Sequence, residues 1–202
     1  MRKLLTPALL ALTLAAAATP ALAKSRGFDS TLTTSLTTPV KIEIVLSEDM
    51  AHRANNLPEK LSDRSHATFR DGFIGNGFYG DRDLEYLQEN LRKDLEKNFA
   101  KKGIETSQTA ATILRVTIED AKPNRPTQKQ LSKLPGLSFR SISVGGAELG
   151  AELISAQGNS LGSITYDYYE TDIRDAAFGG TWSDANFAFE RFALRAAKEL
   201  QN

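Results

Sequence analysis

The chain has two histidines, His52 and His66, and no cysteine. An imidazole can act as a general base or a metal ligand. These two are widely separated, lack H-x-x-x-H spacing and have no thiolate to join them. Surface or hydrogen-bonded histidines are therefore expected, with no metal site. A serine nucleophile would need a strained elbow to expose its hydroxyl. Gly136-Leu137-Ser138-Phe139-Arg140 has Arg where the last Gly of G-x-S-x-G belongs. Glu148 and Glu152 share one strand face, and Asp167 can lie across a hairpin from them. Paired carboxylates can work as acid and base. On a half-exposed hairpin they are expected to be a solvated outer face instead.

Gly75-Asn76-Gly77-Phe78-Tyr79-Gly80 spells G-x-G-x-x-G ahead of a helix. A dinucleotide site also needs a buried strand just before the motif and an acid about 20 residues beyond. Residues 65–74 do not read as such a strand. Asp81, Asp83 and Glu85 at the helix start would repel a phosphate. The notable feature here is the set of rings among the glycines. Phe73, Phe78 and Tyr79, joined by Trp182 from a second loop, are the candidate binding residues. Glycines give such a loop tight turns and conformational freedom. The competing expectation is that the rings cap one end of the core, the common fate of large aromatics. Tyr166 and Tyr168 share a face with Ile164 and are expected in the core.

These residues need elements to position them. Val40, Ile42, Ile44 and Leu46 alternate with Lys41 and Glu43, which predicts a first strand. Ser47 is placed to cap a short helix from Met50 to about Leu57, and 58–80 reads as a long loop. Leu84, Leu87, Leu91, Leu95 and Phe99 form one stripe in a helix over 81–102, with Gly103 past its end. Strands follow at 111–120, with Leu114, Val116 and Ile118 inward, at 142–156 and at 161–171. The last two are joined by the turn Gln157-Gly158-Asn159-Ser160 into a hairpin. Residues 121–140 hold three prolines and read as irregular. Ser183 opens a final helix to Leu200, with Trp182 and Phe187 spaced for a hydrophobic staple and Ala185, Phe189, Phe192, Ala193, Ala196 and Leu200 on its buried stripe. The expected fold is α+β: a two-layer sandwich with a mixed four-stranded sheet, a C-terminal β-hairpin, and two main amphipathic helices on one face. The crossover between the first two strands would set them parallel.

Met1-Arg2-Lys3, an apolar run rich in Leu and Ala, and Ala21-Leu22-Ala23 form the three parts of a signal peptide over 1–23. Cleavage between Ala23 and Lys24 leaves a flexible Ser/Thr-rich leader, 24–39, and a single domain, 40–202. A periplasmic or secreted location follows, without stable membrane insertion after cleavage. With no cysteine, the mature chain has no disulfide and no thiol for a lipid anchor. The chain carries 25 basic and 25 acidic residues, and removing 1–23 takes away Arg2 and Lys3. Such a balance offers no overall basic field for nucleic acid or anionic lipid.

Val144-Gly145-Gly146-Ala147-Glu148-Leu149-Gly150-Ala151-Glu152-Leu153-Ile154, then Gly158-Asn159-Ser160-Leu161-Gly162 and the Ala-rich helix Phe189–Leu200, carry a resemblance. Residues 110–200 resemble uncharacterised bacterial envelope α+β domains, both periplasmic proteins and lipoproteins. The resemblance implies a small envelope domain and carries over no catalytic residue. The expected function is a non-enzymatic, envelope-associated domain with a protein partner and no cofactor. Alternatives are a small-ligand site between the 70–80 and 172–182 loops, or a hydrolase built from scattered acids and one His. Sequence does not reveal the oligomeric state.

Overall fold

The computed structural model of the chain describes residues 27–59, 76–176 and 179–201. The signal segment 1–23, Phe73, His66 and most of the 58–80 loop lie outside the described residues. In chain order the elements are β1 (Gly27–Ser30), β2 (Val40–Leu46), α1 (Glu48–His52), α2 (Asp81–Lys101), β3 (Thr112–Lys122), α3 (Gln128–Lys133), β4 (Gly146–Ile154), β5 (Ser160–Tyr169), α4 (Ile173–Ala176) and α5 (Ser183–Gln201). The sheet order is β1-β5-β4-β3-β2.

The fold is α+β with a mixed sheet. β2 and β3 are parallel, with Ile42 opposite Leu114 and Ile44 opposite Val116. Every other neighbouring pair is antiparallel, including the β4–β5 hairpin. Alternation puts Leu114, Val116, Ile118, Leu149, Leu153, Ile164 and Tyr166 on one face, where they are buried. The stripes of α2 and α5 cover that face: Leu87, Leu91, Leu95, Phe99, Phe189 and Phe192 are all 0 % exposed. The opposite face is polar. Arg115 meets Glu43 at 3.3 Å, and Lys41 meets Glu43 at 2.7 Å.

The sheet has five strands rather than four, because part of the segment read as a leader is β1. Phe28 lies opposite Tyr166, with ring centroids 6.3 Å apart and the Arg195 guanidinium 5.5 Å from the Phe28 ring. Leu36 then ties to the end of α5 through its amide on the Leu200 carbonyl, 2.8 Å. A second departure is α3, inside the stretch read as irregular. Thr127 accepts from the Gln130 amide while the Gln130 side chain accepts from the Thr127 amide, a reciprocal capping box. A third is the staple. Phe187 packs edge-on against Tyr168 at 5.2 Å, whereas Trp182 packs on Tyr79. The start of α5 is capped from outside, by Asn124 Oδ1 accepting from the Asp184 amide at 2.9 Å.

β4 begins at Gly146 rather than Ile142, since amides before it bond outside the sheet, Ser143 to the Asn124 carbonyl at 2.8 Å and Gly145 to Asp184 Oδ2 at 2.9 Å. A Cβ on Gly146 would lie 2.2 Å from the Tyr168 carbonyl oxygen, and one on Gly145 would lie 2.7 Å from that of Lys122. Ser47 caps α1 as expected, accepting from the Met50 amide at 3.2 Å. The helix stops at His52, five residues before Leu57.

Candidate functional site

The parallel strands β2 and β3 both end at one rim of the sheet, and the long connections collect there. The segment 78–80 lies along 53–56: the amides of Phe78, Tyr79 and Gly80 donate to the carbonyls of Asn56, Arg53 and Ala54 at 3.0, 3.0 and 2.9 Å. A Cβ on Gly77 would lie 2.2 Å from the Asn56 carbonyl oxygen, so this close approach requires glycine. Gln130 Nε2 donates to the Gly77 carbonyl at 2.9 Å, and the Thr127 hydroxyl donates to that of Phe78 at 3.2 Å. These three amides of the G-x-G-x-x-G segment are thus engaged with the chain itself, not turned toward a phosphate.

Beneath this segment sits a buried polar cluster. The sheet ladder shifts register between Ile118 and Asp120, which places Asp120 opposite Glu148. Arg53 Nη1 donates to Asp120 Oδ1 at 2.7 Å, and the Tyr169 hydroxyl donates to Asp120 Oδ2 at 2.5 Å. Arg53 also pairs with Asp49, one helical turn earlier. Arg53 is 4 % and Asp120 8 % exposed. The Tyr79 hydroxyl, wholly buried near this group, makes no well-formed hydrogen bond among the described residues.

Burial raises the Tyr79 and Tyr169 phenols above their ordinary range, and the Asp120 carboxylate adds to the rise. Both are therefore neutral at physiological pH, where neither can act as a phenolate base. Burial works against the Arg53 charge, but Asp120, Tyr79 and Asp49 together outweigh it and the guanidinium is held above its usual value. The cluster fastens α1, the 76–80 segment, β3 and β5 to one another.

A second cluster fastens the remaining loops. Asn124, fully buried, donates from Nδ2 to Asp184 Oδ2 at 2.5 Å, and the same carboxylate oxygen accepts from the Gly145 amide at 2.9 Å. Asn124 also donates from its amide to the Thr181 carbonyl, 2.7 Å. Arg125 joins the 123–145 and 170–182 connections, with Nε on the Gly179 carbonyl at 2.8 Å and Nη1 on that of Phe139 at 3.2 Å.

Three of the four candidate binding rings fall among the described residues. Tyr79 and Trp182 meet edge to face at 5.3 Å, which brings the 70–80 and 172–182 loops together. Both belong to the core, at 0 % and 3 % exposure. Trp182 Nε1 donates to Asp83 Oδ1 at 2.7 Å. Burial raises the Asp83 carboxyl above the usual carboxylate range, against the lowering effect of that bond. Phe78 is half-buried and holds a positive φ of 54°. Beside Trp182 an open depression of about 380 Å³ is lined by Asp83, Tyr86, Thr181 and Asn186.

Glu148 lies opposite Asp167 on the outer sheet face, and Glu119 is near enough to Glu148 to feel its charge. Burial raises the Glu119 carboxyl, and the Glu148 charge raises it further. His52 closes α1, half-buried. Among the described residues no group of three or more His, Cys, Asp or Glu is placed to hold a metal ion. No helix among them is long and apolar enough to cross a membrane.

Sequence reasoning missed Arg53, Asp120, Asn124 and Asp184. Asp120 stands two positions past the inward series Leu114, Val116, Ile118, but the register shift after Ile118 sets it opposite Glu148 and gives the next inward place to Ala121, which alternation in the sequence does not show. Arg53 stands four positions after Asp49, a helical ion-pair spacing. Nothing in sequence joins Asn124 to Asp184.

No protein-family model matches the chain, and no curated protein matches it. Solved structures similar to it include a singly substituted variant of the PelC dodecamer from Paraburkholderia phytofirmans, in space group C2. That match has 13 % identity and a TM-score of 0.44, over 87 % of this chain and 99 % of that one. The PelC dodecamer from the same organism in space group P6 has 9 % identity and a TM-score of 0.41, over 87 % and 98 %. A minor lipoprotein from Acinetobacter baumannii has 8 % identity and a TM-score of 0.35, over 80 % and 91 %.

Proposed function

We propose that this chain is an exported, envelope-associated domain that binds a protein partner at its loop-bearing rim and catalyses no reaction. One observation carries the reading. The polar groups gathered at that rim, Arg53, Asp120, Tyr169, Asn124 and Asp184, hold loops to one another. Loops held this way form a preorganised surface, which lowers the ordering cost of association. The basic, apolar and Ala-x-Ala parts of residues 1–23 support export, with Lys24 as the mature N-terminus in the periplasm.

The test uses a tagged chain expressed in a bacterium and released by osmotic shock. Intact mass should begin at Lys24. A photo-crosslinking residue at Arg174, exposed in the 170–182 connection, should give a discrete adduct in the envelope fraction. The same probe at Thr165, exposed on the outer sheet face, should not. Full-length protein retained in the cytoplasm would refute export. Identical adducts from both positions would refute the rim as the binding surface.

A further inference from the structure

The equality of 25 basic and 25 acidic residues conceals a segregated block. Between Asp120 and Glu148 the chain has Lys122, Arg125, Lys129, Lys133 and Arg140 and no acidic residue. Three of these five are engaged with the domain. Lys122 lies over the Tyr169 ring, Arg125 joins the two connections, and Lys129 pairs with Asn55. The other two, Lys133 and Arg140, are exposed at the tip of the connection.

Between them projects Phe139, 69 % exposed, the highest value among the exposed large apolar side chains of the described residues. Its position does not come from a loose loop. The Ser141 amide donates to the Ser138 carbonyl at 2.9 Å, the Ser138 amide to the Ser141 hydroxyl at 3.1 Å, and the Arg140 amide to the Ser138 hydroxyl at 3.2 Å. Arg125 holds the Phe139 carbonyl from behind. Leu134 and Leu137, in the same stretch of chain, are half-buried. The turn therefore presents a ring outward, with a cation on either side along the chain and none of the core's cover.

We infer that the 133–140 tip is a membrane-contact site that docks on a bilayer rich in anionic phospholipid. Phe139 enters the interfacial zone, and Lys133 and Arg140 meet the headgroup phosphates. The charge signs are complementary, each exposed cation near an anionic surface contributing to attraction, and Phe beside Lys and Arg is a pairing used by interfacial segments. A projecting tip also fits a fluid bilayer more readily than a rigid protein surface, which would need a matching pocket. One ring and two cations give weak, reversible contact rather than anchoring. Whole-chain charge balance is no guide here, because exposed charges farther apart than a Debye length are screened from one another. The inference goes beyond the proposed function and does not depend on the protein partner.

The test is co-sedimentation of residues 24–202, which contain every described element, with vesicles of phosphatidylcholine alone or mixed with phosphatidylglycerol. Binding should favour the anionic vesicles and weaken with added salt. Lys133→Glu and Arg140→Glu should each reduce it roughly fivefold or more. Phe139→Ala should reduce it while leaving the thermal midpoint unchanged, since the ring is already in solvent. The chain has no native cysteine, so Phe139→Cys takes a single polarity-sensitive dye. Its emission should shift to the blue on anionic vesicles, whereas dye at Leu194→Cys, exposed on α5, should not shift. Equal binding to both lipids, binding indifferent to all three tip substitutions, or no shift at position 139 would each overturn the inference.

Discussion

Arg53 and Asp120 are each costly to bury alone, and each makes the other tolerable. A buried pair adds little net stability over an apolar pair, but removing one partner leaves an uncompensated charge. Asp120→Ala is expected to cost about 3–5 kcal/mol in urea unfolding. Replacing both residues with apolar ones should recover a large part of that loss. A cost near that of an ordinary surface change, about 0.5 kcal/mol, would mean the pair is solvated rather than buried. Asp83 presents the opposite balance, because its carboxyl titrates above the usual range and burial is the main cause. The folded state therefore holds the proton more tightly than the unfolded chain. The resulting stabilisation is complete below the unfolded carboxyl value, about 3.9, and is lost as pH rises through the raised folded value. Asp83→Asn keeps an acceptor for Trp182 Nε1 and removes the ionisation. Its advantage over the natural chain should grow across that window and level off above it, measured as thermal midpoint against pH. A difference that does not change with pH would contradict the raised carboxyl.

At the scale of elements, edge protection and periodicity decide what could be foreseen. β2 forms one edge of the sheet, and α2 covers its outward carbonyls. Arg92 Nη1 donates to the Ile42 carbonyl at 2.8 Å, and Gln88 Nε2 to that of Ile44 at 3.3 Å. Uncovered edge carbonyls invite pairing with another chain. Arg92→Ala should therefore raise self-association in light scattering while changing monomer stability by less than about 1 kcal/mol. The packed side of the same helix behaves differently. Leu91 is 0 % exposed, and Leu91→Ala should cost about 2–5 kcal/mol in chemical unfolding. The five-residue stripe on α2 was legible because it repeats a helical spacing over four turns and more. β1 was not, because a four-residue edge strand is too short for alternation to stand out in a run of Ser and Thr. α3 was masked by the prolines around it, although Thr127 and Gln130 stand at capping-box spacing. The rings of the candidate site were legible as rings, but their fate was not. Whether Tyr79 and Trp182 face water or each other depends on two loops that meet only in three dimensions.

On the scale of the whole molecule, one sheet face is packed under two helices and the other is polar. The loop-bearing rim joins them through residues that belong to the interior. Tyr79 and Tyr169 make this rim a point of alkaline weakness for the entire domain. Their phenols are raised above the ordinary tyrosine value by burial first and by Asp120 second. The folded state thus keeps protons that the unfolded chain releases. Stability from these two groups is fully present below the unfolded phenol value of about 10 and falls as pH rises beyond it, because unfolding then liberates protons. Urea midpoints should therefore decline above about pH 10. Tyr169→Phe should start from a lower stability, since the bond to Asp120 is lost, but should decline less steeply. Phenolate absorbance from these two tyrosines should appear together with loss of the fold, not before it. If both rings ionise while the far-ultraviolet circular dichroism is still native, they are open to solvent and the rim is not built as described.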